Sequence, residues 1–152
     1  MPWRSGARCA CPPAPGLQMF PCASDLLEQS RALGLRTVIL SNVQTRGATE
    51  YLADFAYFDV GHLVDAVVTS LEVGYRKPHH AMFETAIREA GCEASECVMI
   101  GDSETSDIEP AKALGMRAIR VAIEVPRPGT SAADAVATDL RQVADIVTRW
   151  SH

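Results

Sequence analysis

The sequence predicts an α/β domain built on a mostly parallel sheet, and three features carry that expectation. From Ser24 onward, apolar runs of strand length alternate with stretches of helical periodicity, the pattern of strand–helix–strand units. Glycines stand where the helices should stop. Polar residues follow the apolar runs directly, at strand ends where open parallel sheets hold their ligands.

Taken in order, Ser24 can cap a first helix with Asp25 in its opening turn, a buried face of Leu26, Leu27 and Leu33, and a left-handed stop at Gly34. Thr37-Val38-Ile39-Leu40 reads as a buried strand. Ala48, Tyr51, Leu52 and Phe55 fall on one apolar helical face, and Ala66-Val67-Val68-Thr69 reads as a second strand. Met82, Phe83, Ala86, Ile87 and Ala90 make the clearest amphipathic helix, closed by Gly91, and Cys97-Val98-Met99-Ile100 is again strand-like. A shorter helix should run from about Asp107 to Leu114 with Gly115 as its stop, leading into a strand at Ala118-Ile119-Arg120-Val121. Pro126 to Thr130 should be a loop. Thr138 can cap a last helix whose Leu140, Val143, Ala144, Val147 and Trp150 share a face. The expectation is four strands and five helices.

At 152 residues and 47% apolar, the chain can bury one core and is too short for two, so residues 21–152 are expected to form one core domain. Residues 1–20, rich in Pro, Cys and Ala without the continuous apolar stretch of a signal peptide, are expected to be an irregular lead. The net charge of −5 and the scattered lysines and arginines argue against nucleic acid as a partner. No apolar run is long enough to cross a bilayer. Five cysteines, an odd number at spacings that suit neither a disulfide framework nor a zinc site, fit the reducing cytoplasm.

Three places carry candidate chemistry. After the first strand, the Ser41 hydroxyl with Asn42 and nearby N–H groups could hold a phosphate oxygen, although either residue could equally cap the next helix. Gly101-Asp102-Ser103-Glu104-Thr105-Ser106-Asp107 follows the third strand, with two carboxylates bracketing a turn. Hard oxygen ligands there suit Mg²⁺, which takes one or two carboxylates and completes its shell with water and phosphate; a plain helix cap is the competing reading. Gly74-Tyr75-Arg76-Lys77-Pro78 would aim Lys77 at the same rim, where an ammonium could offset phosphoryl charge; a solvated lysine is the alternative.

Together these residues resemble the later motifs of the haloacid dehalogenase superfamily. Thr37 to Asn42 is similar to the second motif. Arg76-Lys77-Pro78 with the helix through Phe83 and Ala86 resembles the third, and Val98 to Ser103 with Asp107-Ile108, Ala111 and Gly115-Met116 resembles the fourth. The likeness covers roughly Pro21 to Val121. It implies a Rossmann-like parallel sheet flanked by helices and Mg²⁺-dependent phosphoryl transfer through an aspartyl-phosphate, with a small phosphomonoester as substrate. By resemblance, Ser41 would bond the transferred phosphoryl group with Asn42 in support, Lys77 would steady it, and Asp102 helped by Asp107 would hold the metal. A flavodoxin-like or receiver-like domain would give Lys77 and the Gly-Asp-Ser segment no role.

One part of the pattern is missing. The family's first strand ends in Asp-x-Asp, whose first carboxylate attacks phosphorus and whose second acts as acid and base. No such pair precedes Ser41, and the first acidic residue is Asp25, in the opening turn of a helix. That strand would lie between the strands ending at Ser41 and Gly101, at the centre of the sheet. Three outcomes stay open: Leu17 to Phe20 substitutes for it, the flanking strands close up, or another chain supplies the piece. The cap usually inserted after the first motif is absent too. His79 stands after Lys77-Pro78 where many relatives carry an acid. The resemblance leaves two functions open, a phosphatase and a non-catalytic remnant that binds Mg²⁺ and phosphate, either as a homo-oligomer or with a complementing chain.

Overall fold

The first two apolar runs become β1 (Val38–Ser41) and β2 (Ala66–Thr69), paired in parallel from Val38 against Ala66 to Ser41 against Thr69. The computed structural model describes residues 16–122 and 130–152. Before β1 lies α1 (Ala23–Ala32), and between β1 and β2 lies α2 (Ala48–Tyr57). A one-turn helix, α3 (Ser70–Val73), leaves β2 at once, and α4 (His80–Ala90) follows and stops at Gly91, whose φ of 71° is the left-handed conformation that glycine tolerates best. Then come β3 (Val98–Gly101), a π-turn over Glu104–Ile108, α5 (Glu109–Ala113), β4 (Arg117–Val121), β5 (Ala135–Ala137) and α6 (Leu140–Trp150). β4 pairs in parallel with both β3 and β5.

The fold is therefore α/β with parallel pairing throughout, as expected, but the described residues hold five strands rather than four. β5 escaped the sequence reading because Ala-Val-Ala is three residues long and has no alternation to detect. Two caps also differ. Cys22, in a left-handed conformation, precedes α1 and leaves Ser24 inside it, while α6 is capped by Asp139, which accepts from the Gln142 N–H at 2.8 Å, rather than by Thr138. Of the apolar face expected on α2, Leu52 is 48% exposed; the buried side chain of that helix is Asp54, ion-paired with Arg46 at 2.7 Å. The lead expected over residues 1–20 lies outside the described residues as far as residue 15, and the loop expected at Pro126 to Thr130 does so except for Thr130.

Side chains alternate across the strands and build one apolar cluster on each face. Met99 of β3 and Ala118 of β4 point to a cluster with Met82 and Phe83 of α4 and Ala111 of α5, and Leu40 of β1 packs against it. Ile119 points the other way, to Val143, Ile146 and Val147 of α6, with Val98, Ile100, Leu26 of α1 and Leu33 just after it packed alongside. Arg117, at the start of β4, lies over the Trp150 ring at 5.2 Å.

The strands do not form one sheet. Among the described residues β1 pairs only with β2, and β3 only with β4, which leaves two parallel half-sheets. Leu17 to Phe20 has no strand conformation, and Phe20 is 72% exposed, so this stretch does not replace the missing central strand. Nor do β1 and β3 close up and pair. A seam separates the half-sheets, spanned by α4 and, as the site shows, by one lysine.

Candidate functional site

Ser41 ends β1, and its hydroxyl lies 2.8 Å from the Tyr51 hydroxyl of α2. One hydroxyl of such a pair donates to the other, so one proton is left for a third partner. Asn42 turns back toward the next segment, with its Oδ1 accepting from the Lys77 N–H at 2.7 Å and its Nδ2 donating to the Lys77 carbonyl at 3.1 Å. This two-point grip fixes the backbone at Lys77, next to the cis Lys77–Pro78 bond. Ser70 holds the residue beyond Asn42 in the same manner, accepting from the Val43 N–H at 2.9 Å and donating to its carbonyl at 3.1 Å.

The Lys77 ammonium is aimed across the seam. Its Nζ donates to the Leu40 carbonyl of β1 at 3.3 Å and to Oδ1 of Asp107 at 2.6 Å. Both side chains are largely withdrawn from water, at 13% and 5% exposure, so the pair works in a low dielectric and each charge depends on the other. The other Asp107 oxygen accepts from the Ser103 N–H at 3.1 Å. Gly101 permits this placement, because a Cβ there would lie 2.5 Å from the Asp107 Cβ.

Asp102 follows Gly101 with an exposed side chain and, among the described residues, no hydrogen-bond or ionic partner. Ser103 caps the π-turn by accepting from the Ser106 N–H at 3.2 Å. Glu104, in that turn, receives the Arg120 guanidinium at 3.1 Å, the Ser131 hydroxyl at 2.8 Å and the Ala132 N–H at 2.6 Å, which ties the turn to β4 and to the segment before β5. Asn42, Lys77 and Asp107 thus form one hydrogen-bonded chain, while Ser41 ends β1 with its hydroxyl on Tyr51 and Asp102 follows β3. Sequence reasoning missed Tyr51, Ser70 and the Glu104–Arg120 pair, whose partners are remote in sequence; Glu104 alone was visible, inside the acidic turn.

The residues fit a magnesium ion of the water-rich kind. Asp102 offers an unengaged carboxylate, and each Asp107 oxygen, bonded once, retains a lone pair. Among the described residues no three His, Cys, Asp or Glu side chains form an all-protein cage, so such an ion would keep most of its waters.

The family model for haloacid dehalogenase-like hydrolases matches residues 12–115, more than half of the chain. The chain belongs to that family. Among relatives of this haloacid dehalogenase-like chain, a glyceraldehyde 3-phosphate phosphatase of Methanothermobacter thermautotrophicus is 33% identical over 130 residues, 86% of this chain and 56% of the relative. A ribulose-1,5-bisphosphate 5-phosphatase of Halopiger xanaduensis is 32% identical over 123 residues, 81% of this chain and 50% of the relative. The crystal structure of a haloacid dehalogenase phosphatase from Thermococcus onnurineus superposes with a TM-score of 0.73 at 28% identity, over 86% of this chain and 58% of that one. The chain spans about half the length of the curated relatives it matches.

Proposed function

We propose that this chain is the phosphate- and magnesium-binding part of a phosphatase core acting on a small phosphomonoester, and that alone it turns such an ester over weakly or not at all. The observation that carries the reading is Lys77, held by Asn42 and paired with Asp107 at the rim where Ser41 ends β1 and Asp102 follows β3. Ser41, through the proton left in its pair with Tyr51, donates to a phosphate oxygen, with Asn42 in support. Lys77 sets an ammonium against the phosphoryl charge. Asp102, helped by Asp107, holds Mg²⁺, which when bound neutralises charge on the phosphoryl oxygens.

Weak turnover follows from the missing carboxylate. No Asp-x-Asp precedes Ser41, and Asp25 sits in the first turn of α1 rather than at a strand end. In this reading the nucleophile belongs to a strand outside these 152 residues, one that would enter the seam between β1 and β3. The relatives' names support a small phosphorylated substrate. The cytoplasm is the compartment that suits the free cysteines, and among the described residues no helix is long and apolar enough to cross a membrane.

Calorimetric titration of the full chain with Mg²⁺ and inorganic phosphate tests the binding site. Heat at millimolar ligand is expected, with the metal response lost in Asp102→Asn and the phosphate response lost in Lys77→Ala, while p-nitrophenyl phosphate hydrolysis stays near background. No heat with either ligand, or hydrolysis that persists unchanged in both variants, overturns the assignment.

A further inference from the structure

Two thiols meet on the side of the molecule where α4 ends and β3 begins. Cys92 follows the glycine that stops α4, Cys97 directly precedes β3, and a single 3₁₀ turn over Ala94–Glu96 joins them. That turn doubles the chain back so that the Cys92 and Cys97 sulfurs lie 3.1 Å apart. Both residues are half-buried, with neither sealed in the core nor fully open to solvent. The Cys97 backbone is fixed on both sides, donating to the Ala94 carbonyl at 3.0 Å and accepting from the Arg117 N–H at 3.0 Å, so the sulfur is held in place by β4 as well as by the turn.

We propose that Cys92 and Cys97 are an oxidation site that closes to a reversible intramolecular disulfide on reaction with a small-molecule disulfide. The sulfurs already point at each other, and reaching bond length needs an approach of only about 1 Å. The two thiols have different roles. Burial, reinforced by the hydrogen bond and charge of Cys92, pushes the Cys97 thiol up to about 12, so Cys97 keeps its proton at neutral pH. Cys92 is then the sulfur that attacks, its proton passing to the first leaving thiolate. It bonds to one sulfur of the incoming disulfide and the other leaves as a thiolate. Cys97 next attacks the Cys92 sulfur, its proton passing to the second leaving thiolate. The balance is two protein thiols oxidised to one disulfide and one small disulfide reduced to two thiols. The bond would join the far ends of α4 and β3, the two elements whose near ends carry Lys77 and Asp102, without touching either residue.

The chain makes the test direct, because trypsin releases Glu89 to Lys112 as one peptide that contains Cys92 and Cys97 and no other cysteine. The reduced full chain is incubated with oxidised glutathione at neutral pH, capped with iodoacetamide and digested. The expected result is a peptide that has lost two hydrogen atoms and takes no alkyl group until it is reduced, when it takes two. In Cys97→Ser, glutathione is expected to stay attached at Cys92, and in Cys92→Ser the remaining thiol should be labelled far more slowly. Two alkylated thiols in this peptide after oxidation, a stable glutathione adduct on it in the unsubstituted chain, or its cross-link to Cys22 would each overturn the proposal.

Discussion

The Lys77 ammonium bonds Leu40 of β1 and Asp107 beyond β3, so this one side chain both supplies the candidate site with its cation and fastens the half-sheets together. Lys77→Met strands Asp107 as an unpaired buried carboxylate, at an expected cost of about 3 to 5 kcal/mol. The double variant Lys77→Met, Asp107→Leu removes both charges and should regain part of that loss. Urea unfolding of the two singles and the double decides the matter, and costs that simply add would mean the charges are not coupled. At this scale Ser41, Lys77 and Asp102 stand out in the sequence as candidates because each sits just past an apolar run or beside a proline, and Asp107 because it closes the acidic turn after Asp102. What was not legible is that Asp107 pairs with Lys77, since the two are 30 residues apart and nothing local marks the contact. Tyr51 was hidden for a related reason: its place on an apolar helical face describes its ring, while its hydroxyl serves Ser41.

Each half-sheet is fastened at its entrance by an aspartate set just before its outer strand. Asp65 accepts from the Thr37 N–H at 2.7 Å and from Arg31 at 3.2 Å, while its own N–H donates to the Thr37 carbonyl at 2.8 Å. Asp134 does the same beside β4, accepting from the Ala118 N–H and from Lys112, both at 2.8 Å. Burial pushes both carboxyls up, but the N–H and cationic partners outweigh it and hold each below its ordinary value. The unfolded chain therefore takes up these protons more readily. Their stabilisation is complete above the ordinary carboxylate range, about pH 4, and drains away as pH falls through the lower folded values. Denaturant midpoints measured from pH 6 to pH 3 should fall for the unsubstituted chain and fall less for Asp65→Asn; parallel curves would count against this role. The sequence showed the elements themselves through periodicity and glycine stops, yet not these fasteners, because an aspartate between helix and strand reads as ordinary loop polarity. Cap positions slipped by one or two residues for the same reason: Ser24 and Thr138 are good capping types, but Cys22 and Asp139 occupy the positions.

Across the whole molecule, the parallel α/β design was legible from the alternation of runs and the order of three motifs, and so was the place of the missing strand. Which of three outcomes the molecule adopts depends on whether an uncharged apolar stretch, Leu17 to Phe20, is drawn into the centre, a tertiary contest that local pattern cannot decide. The described residues leave the seam open instead. An extended peptide with a β-branched apolar run ending in Asp-x-Asp should pair with both edges and raise p-nitrophenyl phosphate turnover in a saturable way, whereas the same peptide with Asn in place of both aspartates should bind without chemistry. Absence of any rise at saturating peptide would remove the complementing-strand reading while leaving metal and phosphate binding intact. The seam also bears on how the protein comes apart. Among the described residues no backbone ladder joins the half-sheets, and they are held across the seam by α4 packing, the Lys77 bonds and the Arg31 link from α1 to Asp65, so native-state hydrogen exchange is expected to show them parting as two lobes before the ends fray.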